Sequence, residues 1–188
     1  MKLLFPPLKQ PKITDRIVFP YKKNGPNIFY RMVDINSGEI VGEMKARPEV
    51  VSDKFFRFSP NAESYRSFYI ERLRAFVKNQ GVGKTFIKIA QKESSRNFCS
   101  GNVHLVSYNT TNPKEVPHMF YRKLGFEFNK YCKNTQQYID ECIKMNIRPF
   151  ANRQCRSECP MYLEKCVNGQ EEEIKNTYNL KIKFPWLF

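Results

Sequence analysis

The sequence predicts an α/β fold in a single domain, and three observations indicate it. Runs rich in branched and aromatic residues, typical of strands, lie at residues 67–73 and 103–107, and helical periodicity separates them from residue 82 onward. The 188 residues are enough for one well-packed core and too few for two. A hydrophobic content of 41%, with 14% aromatic residues, is typical of a globular chain and not of a disordered one.

The first part of the chain predicts strands. Residues 1–27 contain five of the twelve prolines and little periodicity, which indicates an extended lead-in with one short strand near residues 15–20. Residues 27–33 and 39–45 alternate apolar and polar side chains on either side of the turn Ile35-Asn36-Ser37-Gly38. This pattern predicts a β-hairpin.

Residues 54–58 place three phenylalanines among cations. Such a run could serve as a stacking platform for nucleic acid. It could also be a loop or short helix that folds over the core and helps to enclose a substrate, and this second interpretation is the one we favour.

The stretch from residue 67 to residue 92 organises the chain. A predicted strand is followed by the turn Gln80-Gly81-Val82-Gly83, and apolar residues recur at helical spacing after it. The glycines allow close approach of backbone to a ligand, and the first amides of a helix have no partner within it. The stretch therefore predicts a phosphate cradle, with Lys78 and Lys84 at its rim. A P-loop is excluded because position 78 is not glycine, and a dinucleotide fingerprint because the third glycine is missing.

The rest of the chain continues the alternation of strands and helices. His104, within a predicted buried strand, is interpreted as a core or edge histidine with satisfied hydrogen bonds. The apolar residues 184–188 are expected to dock on the body of the protein or in a dimer interface. The further predicted elements are a strand at 103–107, a helix at 115–124 ended by Gly125, a strand from 126, a helix at 135–145 and a last strand at 159–165.

Two motifs together resemble the GNAT acyl-CoA N-acetyltransferases. The first family motif, R/Q-x-x-G-x-G/A, stands here at residues 78–83 as K-N-Q-G-V-G, with Lys where the family prefers Arg or Gln. The second, F/L-Y-x-x-x-G-F, stands here at residues 120–126 as F-Y-R-K-L-G-F. The resemblance covers about residues 28–128 of a single domain whose core motifs lie in 28–131. It implies a mixed, mostly antiparallel central sheet flanked by helices, with residues 132–188 as a C-terminal extension.

The resemblance implies transfer of an acetyl group from acetyl-CoA directly to an amine acceptor in a ternary complex. Tyr121 matches the tyrosine that acts in many relatives as the general acid toward the CoA sulfur; otherwise it is a hydrogen-bonded core tyrosine. Glu71 shares one face of the central strand with Ser67 and Tyr69, and is the candidate base; otherwise it is a salt-bridged strand glutamate. The residues implied in binding acetyl-CoA are Leu73, Lys78, Gln80, Gly81, Val82, Gly83, Lys84 and Thr85.

The family also implies how the cofactor and the acceptor reach the site. Its central strand splays from a parallel neighbour, which leaves backbone groups near Leu73 to pair with the pantetheine arm. Relatives usually have a strand and two helices before the hairpin that begins at residue 27, and those helices shape the acceptor pocket. This chain has too few residues there for both helices, so the form of the acceptor site stays open.

The formal charge of +14 favours anionic partners. Most of it lies before residue 132, scattered among polar residues, which fits a solvated face with a site for the polyanionic CoA. We therefore expect a small-molecule or peptide amine acceptor, with nucleic acid as a less favoured partner, and a monomer or homodimer. Two other functions stay open: a toxin-like acetyltransferase of aminoacyl-tRNA, and an inactive module that binds CoA or nucleic acid.

The cysteines and the apolar runs predict the compartment. No apolar run approaches the length of a membrane span, and Pro6 and Pro7 interrupt the first apolar residues, so we expect a cytoplasmic protein with free thiols. Cys155, Cys159 and Cys166 are clustered, but their spacing lacks the C-x2-C pair of most zinc sites. The sequence therefore predicts no metal.

Overall fold

The computed structural model describes residues 15–52, 64–108, 116–150, 155 and 157–163. The predicted run at 54–58 and the apolar residues 184–188 lie outside these residues, as does Cys166. The described elements are β1 (Arg16–Asn24), β2 (Asn27–Asp34), β3 (Ile40–Ser52), β4 (Ser64–Ala75), α1 (Val82–Arg96), β5 (Val103–Tyr108), α2 (Pro117–Lys123), β6 (Glu127–Phe128), a 3₁₀ turn (Lys130–Cys132), α3 (Lys133–Lys144) and β7 (Glu158–Leu163).

The strands form one seven-stranded sheet in the order β1-β2-β3-β4-β5-β7-β6. Every neighbouring pair is antiparallel except β4 and β5, which run parallel. The parallel pair is joined by α1, as a crossover connection requires. The predicted fold class, a mixed and mostly antiparallel sheet flanked by helices, is thereby confirmed.

The N-terminal part is more regular than the sequence predicts. The short strand expected near residues 15–20 extends to Asn24, and it pairs with β2 through a tight turn at Gly25, whose φ is +56°. The predicted hairpin of β2 and β3 is confirmed. Among the described residues no helix precedes these hairpins.

All three helices pack on one face of the sheet. α1 lies on β3, β4 and β5, α2 packs on β5, α3 packs on β6, and α2 and α3 also pack on each other. The face under the helices carries alternate apolar residues of each strand, among them Phe68, Ile70, Leu105 and Met161, which are all buried. Ser67, Tyr69 and His104 are on the opposite, polar face. No helix in the described part of the chain is both long and apolar enough to cross a membrane.

Candidate active site

The parallel strands β4 and β5 are paired over a short length and then diverge. Their register consists of three residue pairs, the last of which is Ile70 with Leu105. Beyond these residues β4 continues to Ala75 paired only with β3, and β5 continues to Tyr108 paired only with β7. The facing edges of the two strands are therefore not bonded to each other beyond Ile70, and the sheet opens there into a gap.

A β-bulge lies at the point where the gap begins. In the register of β3 and β4, Lys45 is opposite Arg72 and Ala46 is opposite Ile70, so Glu71 has no residue opposite it. An extra residue in one strand bends that strand and increases its twist. Because Glu71 directly follows the last residue paired with β5, the bulge explains why β4 turns away from β5 at this place.

The first turn of α1 presents unpaired amides after the gap. Gly81, the residue before the helix, has a φ of +74°, a conformation that glycine adopts without strain. The first hydrogen bond of the helix runs from the Thr85 amide to the Gly81 carbonyl at 2.9 Å. The amides of Val82, Gly83 and Lys84 therefore have no partner within the helix, and the helix dipole makes this end attractive to anions.

The other predicted cofactor residues of this turn differ in what they can offer. Thr85 is buried and donates both its amide and its hydroxyl, at 3.1 Å, to the Gly81 carbonyl, so it has no donor left for a ligand. Gln80 accepts a long hydrogen bond of 3.5 Å from the buried Arg16 guanidinium. Lys84 is exposed and has no ion-pair partner in the described part of the chain.

Gly83 is in close contact with α2. A Cβ at position 83 would lie 2.7 Å from Cζ of Phe120, closer than two carbon atoms can approach. A side chain at position 83 would therefore require the Phe120 ring to move, whether or not a ligand also approaches this glycine. Phe120 is 39% exposed, so its ring forms part of the surface beside the unpaired amides.

Tyr121, the predicted general acid, has a packed ring and an uncommitted hydroxyl. Its ring makes edge-to-face contacts with Phe120, at 5.1 Å between centroids, and with Phe126, at 5.6 Å. The hydroxyl makes no hydrogen bond with any of the described residues. Burial raises the pKa of the phenol to about 12, so that it carries its proton at neutral pH.

Glu71, the predicted base, is held by two cations. One carboxylate oxygen accepts a hydrogen bond from Lys45 Nζ at 2.5 Å and the other from Arg47 Nη1 at 2.8 Å. The Lys45 hydrogen bond is the main cause that lowers the pKa of Glu71 below its ordinary value. The structure therefore contains the salt-bridged strand glutamate that the sequence left as the alternative, at the bulge beside the gap.

The polar face next to Glu71 is a connected hydrogen-bond network. His104 is buried, with Nδ1 2.9 Å from Ser67 Oγ and Nε2 2.9 Å from a Glu49 carboxylate oxygen. Tyr69 stacks on the His104 ring at 4.9 Å between centroids, and the central carbon of the Arg47 guanidinium lies 4.9 Å from the centroid of the Tyr69 ring. His104 is thus a satisfied core histidine, as predicted, and Ser67, Tyr69 and Glu71 do share one face.

A second buried pair fixes α2, and the sequence did not reveal it. Ser107, near the end of β5, lies 2.6 Å from Nδ1 of His118 in the first turn of α2, and both residues are buried. The contact anchors α2 to β5 on one side of the gap. Its sequence signal is weak, because a serine in a strand and a histidine in a helix are common and only the fold brings them together.

Five of the six cysteines lie in the part of the chain that the structure describes. Cys99, Cys132, Cys142, Cys155 and Cys159 are buried and unbridged, and no set of three His, Cys, Asp or Glu side chains among the described residues could hold a metal ion. A hydrogen bond to the neighbouring Cys132, together with burial, raises the pKa of the Cys159 thiol and favours its protonated form.

Comparison with known proteins gives likeness in structure only. No protein-family model matches the sequence, and no curated protein is detectably similar to it. A solved bacterial toxin is similar at 13% identity over 74% of this chain and 68% of its own, with a TM-score of 0.49.

Two further solved structures are similar to parts of the chain. Arabidopsis thaliana NAA60 in complex with acetyl-CoA is similar at 22% identity over 53% of this chain and 63% of its own, with a TM-score of 0.41. The Bacillus subtilis N-acetyltransferase YlbP in complex with coenzyme A is similar at 15% identity over 72% of this chain and 66% of its own, with a TM-score of 0.39. The chain thus spans less than two thirds of the length of both, and likeness at this level does not establish an activity.

Proposed function

We propose that this chain is an N-acetyltransferase of the GNAT type, which moves an acetyl group from acetyl-CoA directly to an amine acceptor. The observation that carries the proposal is the gap between β4 and β5, followed in the chain by the unpaired amides of α1. A strand edge without a partner offers hydrogen bonds to an extended ligand that contains amides. A helix N-terminus offers them to a phosphate group. One ligand that needs both is a nucleotide with an amide-bearing arm.

The residues present fit acetyl-CoA. The edge of β4 beyond Ile70, at Leu73, would hold the pantetheine arm, and the amides of Val82, Gly83 and Lys84 would hold the pyrophosphate. Lys84, Lys78 and Gln80 would surround the phosphates, and Gly81 would shape the turn. When bound, acetyl-CoA supplies an activated acetyl thioester. The chain's part is to orient that group, to exclude water and to control two protons.

The first proton is assigned to Tyr121. A phenol with a pKa of about 12 is fully protonated at neutral pH and can donate to a thiolate that forms beside it. Its hydroxyl has no hydrogen-bond partner to give up among the described residues. The ring contacts with Phe120 and Phe126 hold the phenol in one orientation, which is what a positioned acid requires.

The second proton must leave the acceptor ammonium, and we assign this step to Glu71. Because Lys45 and Arg47 lower its pKa, Glu71 is ionised throughout the neutral range and is a weak base for direct abstraction. We infer that it acts through a water molecule that it orients beside the gap. Lys45 and Arg47 fix the carboxylate in place for this role.

Acetyl-CoA turnover with a panel of small amines and peptides tests the proposal. Release of free thiol should depend on the amine, and calorimetry should show CoA binding that weakens several-fold in Lys84→Gln. The control is Lys133→Gln, which removes an exposed positive charge from α3 instead of α1. This variant should bind CoA like the parent protein. CoA binding without amine-dependent thiol release would favour an inactive binding module, and absence of both would contradict the proposal.

A further inference from the structure

The solvent face of α1 is a row of lysines. Lys84, Lys88 and Lys92 are four residues apart and therefore follow one another along one side of the helix. The other side buries Val82, Phe86, Ile87 and Ala90 against the sheet. Side chains four residues apart are separated by about 6 Å along a helix axis, so the row presents regularly spaced positive charges.

These lysines have no anionic partner in the described part of the chain. The only acidic residue of the helix, Glu93, pairs instead with Arg96, whose Nη1 lies 2.7 Å from a Glu93 carboxylate oxygen. None of the three lysines forms an ion pair or hydrogen bond with another described residue. Like charges four residues apart repel each other on a helix, so the row opposes helix formation unless an anion lies along it.

The helix ends in a residue that the fold alone does not favour. The Cys99 amide donates to the Ser94 carbonyl at 2.8 Å, which closes the turn of a Schellman motif in which Phe98 occupies the left-handed position. Phe98 has a φ of +59°, where glycine is usual and a bulky side chain is strained. Its side chain is 81% exposed, so packing against the described protein does not account for it.

We propose that Lys88 and Lys92 of this lysine row, together with Phe98, form a binding surface for single-stranded nucleic acid. The lysines contact successive phosphates of the strand, and a base stacks on the Phe98 ring. Proteins that bind single strands combine cations along the phosphate backbone of the nucleic acid with aromatic rings on which the bases stack. The proposal is independent of the proposed acetyltransferase activity, and it rests on Lys88, Lys92 and Phe98, which have no part in the predicted CoA site.

Charge and composition favour nucleic acid over an anionic membrane as the partner of this basic surface. A formal charge of +14 attracts phosphates at long range. An anionic membrane would also attract it, but helices that lie in a membrane interface bury a broad apolar face. The apolar face of α1 is already buried in the core, and Phe98 alone leaves little area to insert.

Fluorescence anisotropy with a labelled single-stranded RNA of twelve uridines tests the surface, in the full chain and over a range of salt concentrations. Replacing Lys88→Gln and Lys92→Gln together should weaken binding and reduce the slope of log affinity against log salt by about 1.4, or about 0.7 for each phosphate that the variant no longer neutralises. The matched control is Lys133→Gln with Lys144→Gln on α3, which lowers the net charge equally. That control should keep the parent slope.

Phe98→Asn separates binding from folding. Asn tolerates the left-handed conformation, so this variant should melt at a higher temperature than the parent protein and yet bind the RNA about 5- to 150-fold more weakly. CoA affinity should be unchanged in Phe98→Asn and in the Lys88/Lys92 variant. Loss of RNA binding can therefore be distinguished from failure of the proposed acetyltransferase function.

Four results would overturn the proposal. They are absence of RNA binding at low salt, an equal decrease in the α3 control, unchanged RNA affinity in Phe98→Asn, and tighter binding to phosphatidylserine vesicles than to RNA with the same dependence on the three side chains. A duplex RNA of the same length should bind more weakly than the single strand, because its bases are not free to stack on Phe98.

Discussion

Gly83 in the first turn of α1 and Phe120 on α2 are in contact so close that the glycine cannot gain a methyl group without movement of the ring. The distance from a Cβ at position 83 to Cζ of Phe120 would be 2.7 Å. This contact joins the two motifs on which the resemblance to acetyltransferases rests. Gly83 therefore serves the packing of the two helices, so a substitution there tests helix packing together with any ligand contact.

A double-mutant cycle separates the packing role of Gly83 from helix propensity. Gly83→Ala should lower the free energy of unfolding, because overpacking costs about 1–3 kcal/mol, more than the roughly 1 kcal/mol that Ala gains over Gly in a helix. In a Phe120→Ala background the same substitution should become neutral or stabilising. Urea denaturation of the four proteins measures this; equal effects of Gly83→Ala in both backgrounds would show that the ring moves away freely.

Gly42 allows β3 to pack closely against the first turn of α1. A Cβ at Gly42 would lie 2.6 Å from Val82 Cγ1 and 2.9 Å from both the Arg74 carbonyl oxygen and Phe86 Cε2. Because these neighbours include backbone and buried side chains, they cannot move away as an exposed ring can. We expect Gly42→Ala to destabilise the fold by about 1–3 kcal/mol or more.

The matched control for Gly42 is Gly25→Asn. A Cβ at Gly25 meets nothing within 4 Å, and Asn tolerates its positive φ. Its melting temperature should stay close to that of the parent protein. If Gly42→Ala had the same melting temperature as Gly25→Asn, β3 and α1 would not be packed as closely as the distances indicate.

The carboxylates of the polar face predict a decrease of stability in acid. The His104 hydrogen bond lowers the pKa of Glu49, and the Lys45 hydrogen bond lowers that of Glu71. A carboxyl group whose pKa is lower in the folded state stabilises the fold above its unfolded pKa, about 4.3, and this stabilisation disappears as pH falls through the folded value. The melting temperature should therefore fall with pH below about 4.3.

Substitutions identify which carboxylates cause the acid dependence. Glu49→Gln and Glu71→Gln should each lower the melting temperature at neutral pH and make its decline in acid shallower. Glu39→Gln, in the exposed turn before β3, should leave the whole profile unchanged. If melting temperature fell with pH in the same way in all three variants and the parent protein, Glu49 and Glu71 would not be the cause of the acid dependence.

Local patterns predict most of the elements, because period-two and period-3.6 spacing depend on near neighbours in sequence. They place β2, β4, α1 and the later elements within a few residues, whereas β3, predicted to end at residue 45, continues through Pro48 to Ser52. They cannot predict the bulge at Glu71, since an unpaired residue exists only relative to the register of β3. They also do not indicate the hairpin of β1 and β2, because Gly25 and Pro26 lie in a proline-rich segment that is typical of extended chain.

The candidate site divides in the same way. The turn at Gly81, its free amides and the face shared by Ser67, Tyr69 and Glu71 follow from sequence. Three features of the site could not be predicted from the sequence. They are the hydrogen bonds of Thr85 within the helix, the two cations that hold Glu71, and the contact of Gly83 with Phe120. Each of these depends on which side chains the folded sheet and helices bring together, and no local spacing records that.

Tyr121→Phe tests the proposed acid. The substitution keeps the ring between Phe120 and Phe126 and removes only the hydroxyl. Removal of a positioned general acid typically lowers the rate about 10²- to 10⁴-fold, so kcat should fall strongly while KM for acetyl-CoA stays nearly unchanged. The hydroxyl has no hydrogen-bond partner among the described residues, so the melting temperature should change little. The matched control is Tyr131→Phe, whose side chain is 64% exposed and whose kcat should be normal.

The pH profile gives an independent test of Tyr121. Burial raises the pKa of its phenol to about 12, so the protonated, active form predominates until pH approaches that value. The rate of the parent protein should therefore not fall near pH 10, where an ordinary tyrosine ionises. A fall centred there that disappears in Tyr121→Phe would show that the phenol is solvated. Near-normal kcat in Tyr121→Phe, together with a lower melting temperature, would make Tyr121 a core residue, and the proton would then come from water.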